Sequence, residues 1–99
     1  MRRIEITADA KSDLDAIYLD GLTRFGLHQA DHFQDQIAAS FRLLAEQSEI
    51  GVDLGRIRSG YRGFYRPNPC KIIYRYDEDT LFILRVYHGR QDHEVLLSE

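Results

Sequence analysis

Two kinds of apolar spacing divide this chain. Up to about residue 47 apolar side chains return every three or four positions; from Tyr61 onward they stand in short alternating or unbroken runs. The first spacing is that of helices with one buried face, the second that of strands. Leu14, Ile17, Tyr18, Leu22 and Phe25 form one helical stripe, with Asp13, Asp15 and Asp20 largely off it. Thr7 offers a capping oxygen, Asp9 suits the positive end of the helix dipole, and Gly26 stands where a helix closes. A second helix over about 28–47 carries Ala30, Phe33, Ile37, Phe41 and Leu44 on its buried face. With one or two residues between them, the helices form an antiparallel hairpin.

The strands follow. Arg3–Ile6 reads as a short one ahead of the helices. Residues 51–60, with three Gly and two Arg, read as a loop. Tyr61 to Arg66 reads as a strand, and Arg66-Pro67-Asn68-Pro69 as a turn, because two prolines cannot join a central ladder. Cys70–Tyr76 and Thr80–His88 are strands joined by the acidic turn Asp77-Glu78-Asp79. Three strands with short connections make an antiparallel meander. The first strand joins at an edge, and the last, apolar at both parities except at Arg85, is central. The expected fold is a two-layer α+β domain, β-α-α-β-β-β, occupying residues 1–99 as one unit, with the helical hairpin on a mainly antiparallel sheet. Simple alternation sends Phe82, Leu84 and Val86 one way and Leu81, Ile83, Arg85 and Tyr87 the other, with Arg85 on the uncovered side. Val95, Leu96 and Leu97, in the polar tail, are expected to dock on the domain.

Charge sharpens this picture. The net charge of -3 conceals a division: residues 1–54 hold five Lys/Arg against ten Asp/Glu, and residues 55–92 hold eight against four. Eleven of the 13 basic residues are Arg, the side chain suited to bidentate contact with carboxylate or phosphate. An acidic chain of this kind does not coat DNA generically; a local basic face fits one particular anionic partner. No apolar stretch reaches the length of a membrane span, and no apolar secretory core follows the basic N-terminus, so a cytoplasmic protein is expected. The single cysteine, Cys70, excludes an internal disulfide and is expected to be buried.

The chemistry gathers near the end. Arg85, Tyr87, His88 and Arg90 bunch around the exit of the last strand, with Arg58, Arg62 and Arg75 upstream. No Gly-rich turn leads from a strand into a helix, so no phosphate loop is present. His28 and His32 have a zinc-compatible i, i+4 spacing without a third ligand, and read as a solvated helix face. No metal or organic cofactor is implied. The six Tyr read mostly as core-edge residues with a wetted hydroxyl, and Tyr61, Tyr65 and Tyr87 can also line a groove.

The element order, the Gly60-Tyr61-Arg62 segment, the Ile73-Tyr74-Arg75-Tyr76 strand and the ending Leu84-Arg85-Val86-Tyr87-His88-Gly89-Arg90-Gln91-Asp92 together resemble the ParE branch of the RelE/ParE toxin superfamily. The resemblance spans essentially the whole chain, and the ending is its distinctive part. It implies the toxin of a type II toxin–antitoxin module that inhibits DNA gyrase by binding it. It also implies a cognate antitoxin, ParD-like, with a ribbon–helix–helix DNA-binding part and a wrapping C-terminal segment. Nucleic acid is then met only through the antitoxin or the target. The target-binding residues expected on this reading are Arg58, Arg62, Arg75, Arg85, Tyr87, His88 and Arg90. Charge reversal at Arg62 or Arg85 is expected to reduce toxicity without unfolding the domain.

Two other readings stay open at this point. RelE-like relatives cut messenger RNA on the ribosome. Such chemistry needs a base, a proton donor to the leaving oxygen and cations on the phosphate. Arg62 and Arg85 are the candidate cations, and Tyr87 or His88 the candidate base or acid, since Arg stays protonated. His93 is a further candidate base. The region around the second helix and following loop has Arg56 and Arg58 but no Lys, unlike RelE-type members. The third reading is a domain that binds an antitoxin without toxicity.

Overall fold

The computed structural model describes residues 1–89. Arg90, His93 and the Val95-Leu96-Leu97 triplet lie outside the described residues. Strand β1 (Arg3–Ile6) leads into α1 (Ala8–Phe25) and α2 (Leu27–Glu46); a 3-10 turn (Ser48–Ile50) follows. Then come β2 (Val52–Asp53), β3 (Arg62–Phe64), β4 (Cys70–Tyr76) and β5 (Thr80–His88). The five strands form one sheet in the order β1-β5-β4-β3-β2. β1 runs parallel to β5, and the other pairings are antiparallel. The architecture is the expected α+β two-layer fold, with β1 at the edge and β5 inside the sheet.

Local chemistry explains the helix ends. The Thr7 side chain accepts the Ala10 N–H at 3.1 Å, capping α1. Gly26 adopts φ 89°, which a side-chain-bearing residue rarely takes, and its N–H donates to the Leu22 carbonyl. It is the only residue between the helices, so they return antiparallel at once. Near that turn Gly21 faces Ala30 so closely that a Cβ at Gly21 would lie 3.5 Å from the Ala30 Cβ. Small residues therefore set the close approach of the hairpin.

The loop expected over 51–60 is more ordered than its composition suggests. Val52 and Asp53 pair with Gly63 and Arg62 and add a fifth strand. Beyond them the chain folds over the second face of the sheet. Leu54 N–H donates to the Tyr61 carbonyl at 2.8 Å, and Ile57 and Arg58 N–H both donate to the Leu54 carbonyl. The strand expected over 61–66 is confined to Arg62–Phe64.

Each sheet face thus has its own apolar cluster. On the helix side Ile72 and Tyr74 of β4 and Leu81, Ile83 and Val86 of β5 pack against Ala10, Ile37, Phe41 and Leu44. On the other side Leu54, Ile73 and Tyr87 are buried, with Ile57, Tyr61 and Leu84 around them. Full burial of one aliphatic side chain contributes about 1.5–3 kcal/mol, so the larger cluster dominates stability.

Simple alternation fails in β5 for a definite reason. Ile73 stands opposite Arg85, but the next residue, Tyr74, stands opposite Ile83. Leu84 is the extra residue of a β-bulge, and a bulge shifts the facing of everything on one side of it. Leu81 and Ile83 therefore join Val86 on the helix side, while Leu84 goes with Tyr87. The expected grouping of Leu81 and Ile83 with Arg85 and Tyr87 is corrected accordingly.

Candidate functional site

The end of β5 is built by α1 as much as by the sheet. β1 stops pairing at Ile6, opposite Ile83, leaving the next edge groups of β5 without a strand partner. Side chains at the start of α1 take them over. Thr7 Oγ1 donates to the Leu84 carbonyl at 2.9 Å, and Asp13 Oδ2 accepts the Val86 N–H at 2.9 Å. The same carboxylate holds Arg85 by two bonds, Nε to Oδ2 at 2.8 Å and Nη2 to Oδ1 at 3.0 Å. This bidentate pair is partly screened from water, with side-chain exposures of 37% for Arg85 and 16% for Asp13. The hydrogen bonds from Arg85 to Asp13 raise the guanidinium pKa further and keep it charged. Arg85 also stacks on Tyr87, its guanidinium carbon 5.0 Å from the ring centre.

Neighbouring residues of this strand then part company. Tyr87 is only 2% exposed and belongs to the cluster under the 54–61 loop. Burial pushes its hydroxyl pKa upward, partly offset by the charge of Arg85. His88 stands opposite Cys70 on the helix side, its ring edge-on to Phe33 with centroids 5.8 Å apart. Tyr87 and His88 are adjacent in sequence but face opposite sides of the sheet.

Arg62 is also engaged internally. It stands opposite Tyr74, and its Nη1 donates to the carbonyls of Glu49 (3.1 Å) and Gly51 (2.9 Å). Tyr74 works on the same segment, its hydroxyl donating to the Ser48 carbonyl at 2.7 Å and accepting the Gly51 N–H at 2.9 Å. Together they fasten the turn between α2 and β2. Tyr74 stands opposite Ile83 on β5, so Arg62 lies on the row of Ile83. His88 is about 15 Å farther along that strand at about 3.3 Å per residue. Arg75 is exposed on the loop-side face, its guanidinium carbon 4.1 Å from the centre of the Phe82 ring opposite it. Lys71, opposite Tyr87, shares that face. Arg58 lies in the turn that starts at Leu54. Arg85 and Tyr87 therefore meet each other, whereas Arg62, Arg75 and His88 occupy three other places.

Cys70 is buried as expected, and desolvation pushes its thiol pKa up to about 12, well outside the reactive range. Among the described residues no group of three or more His, Cys, Asp and Glu is placed to hold a metal ion, and His28 and His32 stay a pair. No helix of the described residues is long and apolar enough to cross a membrane.

A groove of about 620 Å³ opens between the helices, lined by Leu14, Ile17, Phe25, Phe33, Ile37 and His88 among others. The stripe of α1 serves it more than the core. Ala10 is the one buried residue of that helix, Phe25 is 66% exposed, and Leu27 at the start of α2 is 62% exposed.

This fold and this ending have close counterparts. The model of a family described as the ParE toxin of the type II toxin–antitoxin system parDE matches residues 4–93. The chain belongs to the ParE toxin family. It is 28% identical over 92 residues to Toxin ParE3 of Caulobacter vibrioides, covering 93% of this chain and 91% of that toxin. Toxin ParE1 of the same organism is 31% identical over 62 residues, 63% of this chain and 65% of that toxin. A solved structure of a chromosomal ParDE TA system from P. aeruginosa superposes with a TM-score of 0.77 at 23% identity, covering 91% of this chain and 98% of that one. That likeness supports the fold.

For a ParE family member the geometry revises which residues are surface and which are scaffold. Asp13 is the residue the sequence pattern did not flag, because its partner lies 72 positions away. The covering loop did leave a signal: Leu54 and Ile57 are apolar residues in an otherwise polar, glycine-containing stretch.

Proposed function

We propose that this ParE family toxin inhibits DNA gyrase by binding it, and that a cognate ParD-like antitoxin neutralises it. The observation that carries the first part is the division of β5. Transesterification of RNA requires a base, a proton donor and phosphate-binding cations around one phosphate. Here Tyr87 is buried on one face, His88 lies on the other, Arg62 is on a distant row and Arg85 is bonded to Asp13. A binder needs no such convergence, only a shaped and charged surface. Arg75 on Phe82, with Lys71 on the same face, supplies its cationic part; Arg90, the further residue expected there, lies outside the described residues. Arg58, Arg85 and Tyr87 give that surface its shape, and Arg62 and His88 contribute from the helix side.

The antitoxin part rests on family membership and on surface chemistry. An acidic, amphipathic segment fits a protein that exposes Phe25 and Leu27 beside an apolar groove and carries arginines on its sheet. Its carboxylates would steer association while its apolar side supplies the holding energy. The direct test adds purified protein to gyrase supercoiling and cleavage assays, with ribosome-bound messenger RNA in parallel. Inhibited supercoiling or trapped DNA breaks with intact RNA is the expected result. RNA cleavage with normal gyrase activity would move the function to the nuclease branch.

A further inference from the structure

The part of the sheet face that the 54–61 loop leaves uncovered carries cations around an aromatic ring. Ile4 and Ile6 of β1 pack on the helix side, so Arg3 and Glu5 stand on the other face, both exposed. Arg75 is exposed on that same face and lies over Phe82. Lys71 stands four residues back along β4, about 13 Å away at 3.3 Å per residue. We propose that this uncovered face binds a single strand of nucleic acid, with a base stacked on the Arg75–Phe82 pair and backbone phosphates on Arg3, Arg75 and Lys71. This binding is independent of whether gyrase is the target.

Three features select this ligand. The Arg75 guanidinium carbon is 4.1 Å from the centre of the Phe82 ring, so an exposed cation and an aromatic ring form one platform. Bases stack on guanidinium planes and aromatic rings alike. Two of the three cations are arginines, whose fork of donors matches the phosphate group. The face is also shallow where it is charged. The apolar groove between the helices opens on the opposite layer, and the cluster around Tyr87 is closed by the loop. An acidic peptide is held mainly by apolar side chains in pockets, with its charges guiding association. A nucleic acid strand is held by phosphate contacts and stacking, and needs no pocket.

The binding is confined to this patch. Arg85 stands on the same face, but its charge is taken by Asp13. Glu5, opposite Phe82 on β1, repels phosphate at the edge of the platform. The chain as a whole is acidic, with a net charge of -3, and ten of its Asp and Glu lie in residues 1–54. Only a strand that approaches the sheet face is therefore attracted.

Fluorescence anisotropy tests this with the intact chain, a labelled DNA strand of about 12 nucleotides and salt from about 50 mM upward. Saturable binding is expected, with log affinity falling against log salt at a slope of about -2, three phosphate contacts at about -0.7 each. An RNA strand of the same sequence should bind within about threefold, since neither the stack nor the phosphate contacts use the 2′-hydroxyl. Arg75→Glu should weaken binding about tenfold or more, with an unchanged circular dichroism melt. Arg75→Lys, which keeps the charge without the stacking plane, should weaken it several-fold. Glu5→Gln should strengthen it about twofold, a gain that a damaged fold does not produce. Absence of binding at low salt overturns the proposal, and so does full affinity in Arg75→Glu. A duplex of the same sequence bound as tightly as the single strand removes the stacked base and overturns it too. Displacement of the strand by poly-glutamate as readily as by unlabelled DNA would assign the face to an acidic polypeptide instead.

Discussion

The two faces of the sheet are stabilised in different ways. The helix-side face is a continuous apolar layer in which β4, β5 and α2 supply most of the buried side chains. The other face is covered only where the 54–61 loop lies over Ile73 and Tyr87, and next to that cover Arg75 stacks in the open on Phe82. One face is fixed by packing; the other is a small cluster beside charge. A surface that must be both shaped and accessible is more readily built on the second, where Lys71 and Arg75 stand.

The largest expected effect sets the two faces against each other. Ile83→Ala empties a fully buried site on the helix side and should cost about 2–5 kcal/mol in urea unfolding. Leu54→Ala should fall at the low end of that range, about 2 kcal/mol, because the loop can detach without the rest of the sheet. It should also open the 54–61 loop to limited proteolysis. Equal costs for the two variants would show that both faces share one cooperative core.

Next comes the fastening of β5 to α1. Asp13→Ala strips two acceptor bonds from Arg85 and one from the Val86 N–H. A loss of about 1–3 kcal/mol is expected. Adding Arg85→Ala to that variant should cost little more, and a double-mutant cycle measures this coupling. Charge reversal at Arg85 or Arg62 is accordingly expected to lower stability as well as toxicity, since both hold internal partners. Arg75→Glu is the cleaner probe of the open face: unfolding free energy within about 0.5 kcal/mol of the parent, with gyrase inhibition reduced about tenfold.

The smallest effects are acid–base. In the β4–β5 turn the Asp77 carboxylate accepts the N–H groups of Asp79 and Thr80, each at 2.9 Å, and these bonds lower its pKa below 3.8. Its folded value lies below its unfolded one, so its contribution is complete above pH 3.8 and is lost as pH falls through the folded value. Asp77→Asn should flatten the acid limb of a pH–stability curve. Cys70 has the opposite sign: its folded pKa of about 12 exceeds the ordinary 9.0, so its contribution is complete below pH 9.0 and declines as pH rises toward 12. At neutral pH its thiol should ignore the reagent DTNB in the folded protein and react fully in urea.

How far the sequence reveals this molecule depends on how local each feature is. Helix periodicity, the Thr7 cap and the Gly26 stop are written within a few residues of where they act, and all of them hold in the structure. The limits of β4 and β5, flanked by prolines and an acidic turn, were equally legible. The candidate cluster was less so. Arg85, Tyr87 and His88 stand within four positions of each other, yet they end in an ion pair, a buried cluster and a groove. No pattern around them announces the bulge at Leu84, because a bulge is a property of two paired strands.

By itself, then, the amino-acid order determined which segments become helix or strand, their succession, and the family to which the ending belongs. Tertiary structure alone decided that Leu81 and Ile83 face the helices, that Asp13 claims Arg85, and that the 54–61 loop covers Tyr87. The reason is physical. Backbone propensity and periodicity act over a turn of helix or a few strand residues, whereas the facing of a side chain after a bulge, and the partner of a charge, are set by residues far away in the chain.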